Sequence, residues 1–215
     1  MMVFNRLTNG LKGLGVAALM IAALLSLGGD FVRAAEGEST NGNEWKPSEG
    51  AELLGTAAPP WRGLQWIQGG PLRLEDLMGK VVLVRFWLVG CPYCLHSAPA
   101  LNEFYEKYQK KGLVVVGIHH PKSSRTRDPE VVRSAVGLLG FKFPIALDNG
   151  WDALRSYWLN GGKRSFTSVS FLIDKSGVIR FVHDGGEYYR SKSDAKANSA
   201  YEAIDKKISE LLLGE

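Results

Sequence analysis

Two rhythms of hydrophobic and polar residues divide this chain. Runs of β-branched and aromatic residues, apolar on both faces, are separated by stretches where apolar positions return every three or four residues. The strongest run is Val81–Trp87, V-V-L-V-R-F-W, interrupted only by Arg85. Unbroken apolarity of that length predicts a central strand covered on both sides. Residues 113–118 predict a second buried strand, 143–147 a third, and 64–67 a short strand ahead of them. Leu72, Leu74, Leu77 and Met78 predict a helical turn before the main strand.

Helical spacing of Leu101, Phe104, Tyr105 and Tyr108 predicts a helix that runs from the end of the main strand to about Lys111. Gly112 suits its left-handed cap, and Pro99 inside it predicts a kink. Pro129 and Glu130 open a helix reaching about Leu139, and Trp151, Leu154, Tyr157 and Trp158 form another, broken by 160–162. Residues 171–173 and 178–183 flank Asp174-Lys175-Ser176-Gly177, a hairpin. Tyr201, Ile204, Ile208, Leu211 and Leu212 place an amphipathic helix over 194–213. The order βα, βα, βα, ββ, α predicts an α/β fold, with a central mixed β-sheet, helices on both faces, and a C-terminal antiparallel hairpin and helix.

The first 34 residues follow a different pattern. Arg6 and Lys12 precede an uncharged apolar run over 14–27, and Val32-Arg33-Ala34 offers a cleavage site after Ala34. This predicts a signal peptide over 1–34, with an uncleaved anchor as the alternative, because the run is shorter than the ~20 residues that span a bilayer. Either form puts the remainder in an extracytoplasmic, periplasmic space where disulfides persist. Residues 35–54, polar and rich in Gly, Ser and Asn, predict a flexible linker, and 55–215 a single domain. At 215 residues and 45% hydrophobic composition, one globular domain plus extensions is the natural expectation. The net charge of +4 is mild, and no basic block with interleaved aromatics points to nucleic acid.

The chemistry sits where the main strand meets its helix. The only cysteines, Cys91 and Cys94, form a C-P-Y-C at the predicted helix start. Unpaired N–H groups and partial positive charge at a helix N-terminus stabilise a thiolate, so Cys91 is the candidate nucleophile. Cys94, one turn in, is placed to resolve a mixed disulfide. Half of a zinc site and a structural cystine are the alternatives. Zinc needs about four ligands, no second cysteine pair exists, and His96, His119 and His120 lack the spacing of a finger. His96 is expected on the surface. His119 and His120, at the C-terminal end of a strand, are expected to cap a loop, with a ligand role as the alternative. Lys122, Arg125 and Arg127 are expected to form a solvated basic surface.

From about Gly55 to Leu213 the chain resembles thioredoxin-fold proteins of the thiol–disulfide oxidoreductase and redoxin group. Phe86-Trp87 before the cysteines, Ala98-Pro99 in the helix and Phe171-Leu172-Ile173-Asp174 with Lys175-Ser176-Gly177 carry the resemblance. His119 with Pro121, and Gly185-Gly186-Glu187-Tyr188, are most similar to the thioredoxin-like domain of DipZ-type proteins. The resemblance implies a thioredoxin-like fold, disulfide exchange by Cys91 and Cys94 with protein disulfide or dithiol clients, no cofactor and no metal. It also implies client contacts from Trp87, Pro92, Tyr93, Thr167 and Ser168, a membrane redox partner as electron donor, and a monomer.

Three departures from the pattern matter. Arg85 replaces the buried acid that serves thioredoxins as a proton relay. A cation there favours thiolates; alternatively it pairs with a carboxylate elsewhere and braces the sheet. Ser168 stands at the position of the family's cis-proline. A non-proline cis bond costs about 2.5–4 kcal/mol, so Thr167–Ser168 is expected trans, with its N–H and hydroxyl near the sulfurs. Pro92-Tyr93 between the cysteines implies a potential less reducing than thioredoxin's. A redoxin-type peroxidase is an alternative function, although Leu88 stands where those enzymes carry Thr. A metal-binding or delivery protein using Cys91, Cys94 and Ser168 or a histidine is another.

Overall fold

The computed structural model describes residues 45–214. The expected signal peptide or anchor over 1–34 and the first part of the expected linker lie outside the described residues. In chain order the elements are β1 (Gln65–Gln68), β2 (Val81–Trp87), α1 (Pro92–Tyr108), β3 (Leu113–His119), α2 (Pro129–Leu139), β4 (Ile145–Leu147), α3 (Asp152–Tyr157), β5 (Ser170–Ile173), β6 (Ile179–His183) and α4 (Ala195–Leu213). They build one six-stranded mixed sheet in the order β1-β4-β3-β2-β5-β6. Strand β2 lies parallel to β3 and antiparallel to β5, and β4 continues the parallel side. Edge strand β1 is antiparallel to β4. Among the described residues no helix is long and apolar enough to cross a membrane.

Strand β2 occupies the centre because all seven of its residues are buried, which only a strand covered on both faces allows. Its side chains alternate between two cores. Val81, Leu83 and Trp87 join α1 and α4 through Leu101, Phe104, Tyr201 and Ile204. Val82, Val84 and Phe86 join α3 through Leu154 and Tyr157. By the same alternation Arg85 belongs on the α1 face. Helix α1 ends at Tyr108 in a short 3-10 turn. Gly112 closes that turn at φ 106°, a conformation that favours glycine. The helix continues through Pro99, which deprives the Leu95 carbonyl of its intrahelical donor.

Two differences from the sequence reading have clear causes. The third strand begins at Ile145 rather than 143, because the carbonyls of Phe141 and Phe143 are taken by the Gln68 side-chain amide (2.9 and 2.7 Å) instead of a ladder. Residues 45–54, expected as linker, are docked on the domain. The Trp45 ring stacks on His183 with centroids 5.1 Å apart, and its Nε1–H donates to the Val182 carbonyl at 3.1 Å. One aromatic ring amid polar residues is only a weak signal of docking, since its receptor lies 137 positions away.

Asp148, in the connection between β4 and α3, is fully buried. Its two oxygens accept from the N–H groups of Asp152 and Leu154, both at 2.8 Å, and so satisfy the start of α3. Asp148→Ala leaves those donors unpaired. The expected loss is about 2 kcal/mol of unfolding free energy, read as a lower urea midpoint with unchanged slope.

Candidate active site: a dithiol over a buried guanidinium

Strand β2 delivers the chain through a short turn, Leu88, Val89 and Gly90, to the start of α1. Cys91 is the residue capping that helix, with extended backbone (φ −80°, ψ 120°) and Pro92 in the first helical position. Proline suits that position because its missing N–H has no partner to lose there. The Cys91 carbonyl accepts from the N–H groups of Cys94 and Leu95, both at 3.1 Å. Both thiols are free; Cys91 is half-buried and Cys94 is 3% exposed.

The two sulfurs are inequivalent. The Cys91 thiol is held down at about 5, chiefly because the Cys94 thiol donates a hydrogen bond to it. The Cys94 backbone N–H, the Ser168 side chain and the charge of Arg85 act in the same direction, against burial. Cys94 moves the other way: its hydrogen is committed to Cys91, and burial disfavours its charge. One sulfur therefore loses its proton below neutral pH while the other keeps its own.

Arg85 lies on the α1 face and is 1% exposed. Its Nη1 donates to Ser170 Oγ (3.3 Å), its partner across the β2–β5 ladder, and its Nη2 to the Gly186 carbonyl (3.2 Å). The guanidinium rests on the Tyr188 ring, 5.2 Å from its centroid. Among the described residues it has no carboxylate partner, and its Nε finds no acceptor. Of the two alternatives for Arg85, the bracing ion pair is not found among the described residues: the guanidinium meets a hydroxyl, a carbonyl and a ring, and its charge favours the ionised form of both thiols. Tyr188 ties this cluster together. Its hydroxyl bonds Ser170 Oγ (3.0 Å), and its N–H donates to Ser97 Oγ (3.1 Å) one turn beyond Cys94.

The residues implied as client contacts fall into two groups. Pro92 and Tyr93 are exposed beside Cys91, with Tyr93 edge-on to half-exposed Phe166 (5.6 Å). Trp87 is buried at 1% exposure, its ring edge-on to His119 and Phe141. It reaches the surface only as part of a cleft of about 320 Å³ beside Cys91, with Leu88, Leu95, Leu138 and Leu139. Ser168 is buried and Thr167 half-buried. Among the described residues the one cis peptide bond is Gly70–Pro71, so Thr167–Ser168 is trans as expected.

His96 is on the surface as expected, paired with Glu187. His119 and His120 are both fully buried, His119 as the last residue of β3 and His120 directly after it. Among the described residues neither ring nitrogen of His119 has a partner, whereas the His120 ring ties down a loop as expected, its Nε2 meeting Thr167 Oγ1 at 3.0 Å. Burial holds their rings neutral, lowering them to about 4 and about 3, and lowers His183 to about 3. Among the described residues no three His, Cys, Asp or Glu side chains converge on a point where a metal would sit.

The profile of the Redoxin family matches residues 55–200. The chain belongs to the Redoxin family. This redoxin is 34% identical over 172 residues to Protein DipZ of Mycobacterium tuberculosis, covering 76% of this chain and 23% of DipZ. To the thiol-disulfide oxidoreductase ResA of Bacillus anthracis it is 32% identical over 113 residues, covering 53% of this chain and 60% of ResA. The redoxin thus spans about a quarter of the DipZ proteins and three fifths of ResA. Among solved structures it is similar to a Chlorobium tepidum protein assigned as the thiol:disulfide interchange protein DsbE. Identity there is 27% and the TM-score 0.57, over 74% of this chain and 97% of that one. A thioredoxin-like protein solved in its oxidised form matches at 27% identity and TM-score 0.54, over 76% of this chain and 93% of that one. The fold is thioredoxin-like.

Alkylation of the reduced redoxin should be confined to Cys91 and half-maximal near pH 5, where its thiol titrates. Arg85→Gln should raise that midpoint, since removing a positive charge favours the thiol; mass spectrometry of iodoacetamide-treated protein across pH reads both. The buried histidines predict a second pH effect. Between their ordinary value of 6.5 and their native values of about 4 and about 3, the unfolded chain binds protons that the native state does not. Stability therefore falls as pH drops through that window. Unfolding of the oxidised protein, whose cysteines do not titrate, should show the fall, and His119→Phe should make it shallower.

Proposed function

We propose that this redoxin is an extracytoplasmic thiol–disulfide oxidoreductase that exchanges disulfides with protein clients through Cys91 and Cys94. The observation that carries the reading is the asymmetry of the pair: a half-buried, low-pKa sulfur capping α1, with a buried thiol donating to it. The printed names of ResA and of the DsbE-type structure, both thiol–disulfide proteins, support the same reaction class. The apolar predicted segment over 1–34 supports an extracytoplasmic site.

The cycle begins with the Cys91 thiolate attacking a client disulfide. A Cys91–client disulfide forms and one client sulfur leaves as a thiolate. With Cys91 no longer anionic, the Cys94 hydrogen loses its acceptor. The Cys94 thiol gives up its proton to the client thiolate just released, aided by the Arg85 charge that acts on it, and attacks the Cys91 sulfur. The second client sulfur leaves, and the Cys91–Cys94 disulfide closes. Two electrons have passed to the client, and a membrane redox partner restores the dithiol. In reverse the same steps oxidise a client. Protein clients suit the surroundings of Cys91, where Tyr93, Leu95, Leu138 and Phe166 are all exposed; large apolar groups beside a reactive sulfur favour polypeptide over small polar thiols.

Insulin reduction with dithiothreitol as donor tests the scheme. Cys91→Ser should abolish turnover, and Cys94→Ser should accumulate a mixed disulfide that migrates as a larger species on non-reducing gels. Turnover retained by Cys91→Ser, or peroxide consumption exceeding disulfide exchange, would overturn it.

A further inference from the structure

The loop 164–168 lies beside the cysteine motif, with Phe166 edge-on to Tyr93 at 5.6 Å and the Ser168 side chain among the groups that hold the Cys91 thiol down, yet nothing within the loop fixes it: its sequence is R-S-F-T-S, with no proline and no regular structure. Its anchors come from elsewhere. The Glu49 carboxylate accepts the Ser165 N–H (2.9 Å to one oxygen, 3.2 Å to the other) and the Ser165 hydroxyl. Glu52 pairs with Arg164, whose guanidinium lies over the Trp158 ring (4.2 Å) and whose Nε donates to the Trp158 carbonyl (3.1 Å). The Trp158 indole N–H in turn donates to the Phe166 carbonyl at 2.7 Å.

Glu49 and Glu52 are themselves held. The N–H groups of Ser48 and Glu49 donate to the Asp184 carboxylate (2.7 and 3.0 Å), and Trp45 is stacked on His183. Between the two glutamates, Gly50 has φ 84° and lies so close to Trp158 that a Cβ there would overlap the ring. Beyond them, Gly55 N–H donates to the Ile179 carbonyl (2.8 Å) and Ala58 N–H to that of Gly177 (2.9 Å). Residues 45–58 thus form a strap across β6 whose two carboxylates grip the loop 164–168 at Arg164 and Ser165, immediately before Phe166, whose ring reaches Tyr93.

We propose that Glu49 and Glu52 are positioning residues for the disulfide-exchange site, acting through the loop 164–168 to keep the Ser168 hydroxyl against Cys91. This rests on Cys91 being the nucleophile. It makes the segment ahead of the domain part of the active-site scaffold: freeing the strap slackens the loop and weakens one of the groups that stabilise the thiolate.

The sign of the effect separates this role from plain electrostatics. Glu49→Gln with Glu52→Gln removes two negative charges. By charge alone this favours the Cys91 thiolate and lowers its titration midpoint. Loss of the Ser168 contact raises it. Alkylation of the full-length double variant across pH, with folding verified by its urea midpoint, should give a midpoint raised by about half a pH unit, which is about a threefold lower thiolate-to-thiol ratio at a given pH. In a Ser168→Ala background, where the contact is already gone, the two glutamine substitutions should raise it no further. An unchanged or lowered midpoint in the double variant overturns the proposal, and so does an equal rise in the Ser168→Ala background. A wild-type midpoint in the ordinary thiol range would instead overturn the reading of Cys91 on which the proposal rests, so the two failures are distinguishable.

Discussion

A guanidinium is buried in this core with no carboxylate beside it among the described residues. Burying an unpaired charge is costly, and the surroundings of Arg85 are arranged to reduce that cost: a hydroxyl from Ser170, a carbonyl from Gly186 and the face of Tyr188. None of these is an anion. The negative charge nearest in kind is the Cys91 thiolate, which the Arg85 charge stabilises. The reduced state of the pair thus supplies the counter-charge that the core lacks. Closing the disulfide removes it, so the same cation that primes the nucleophile opposes oxidation of the pair. Stabilising the reduced form makes a dithiol a stronger oxidant, which connects one buried side chain to the direction in which electrons move.

The fold supplies rigidity to that arrangement. Both faces of β2 are covered, so the position of Cys91 at its exit is fixed by two cores. Tyr188 locks the first turns of α1 through Ser97 and locks Arg85 through Ser170, which joins thiol and cation in one hydrogen-bonded unit. The segment 45–58 adds a further constraint, with Glu49 on Ser165 and Glu52 on Arg164. The surroundings of the cysteines are thus drawn from segments far apart in the chain: the β2–α1 junction, the β6–α4 connection around Gly186–Tyr188, and the loop 164–168 with the residues that hold it.

Much of the architecture was legible because it follows from local pattern. The β2 run, the Pro129 start of α2, the Gly112 cap and the Asp174–Gly177 hairpin each carry their signal in adjacent residues. The cysteine pair was legible for the same reason: strand, turn and helix start are contiguous. What remained hidden depends on distant partners. Arg85 as a charge without an ion pair, Tyr188 as its support and Glu49 as an anchor for Ser165 are separated from their contacts by 18 to 116 positions. His119 and His120 look like loop residues because histidine is polar, yet β3 extends by one residue to take in His119, and both rings are buried. Residues 45–54 read as linker because their composition is polar, yet polar residues that find carboxylates and carbonyls on a folded surface are as well anchored as apolar ones.

The reduction potential of the Cys91–Cys94 pair tests the central claim most directly. Equilibration of the full chain in glutathione buffers, read by alkylation and mass shift, should give a single two-electron transition at a potential less negative than the approximately −270 mV of thioredoxin. A potential at or below that value, or two cysteines that never form a reversible disulfide with each other, would contradict the account.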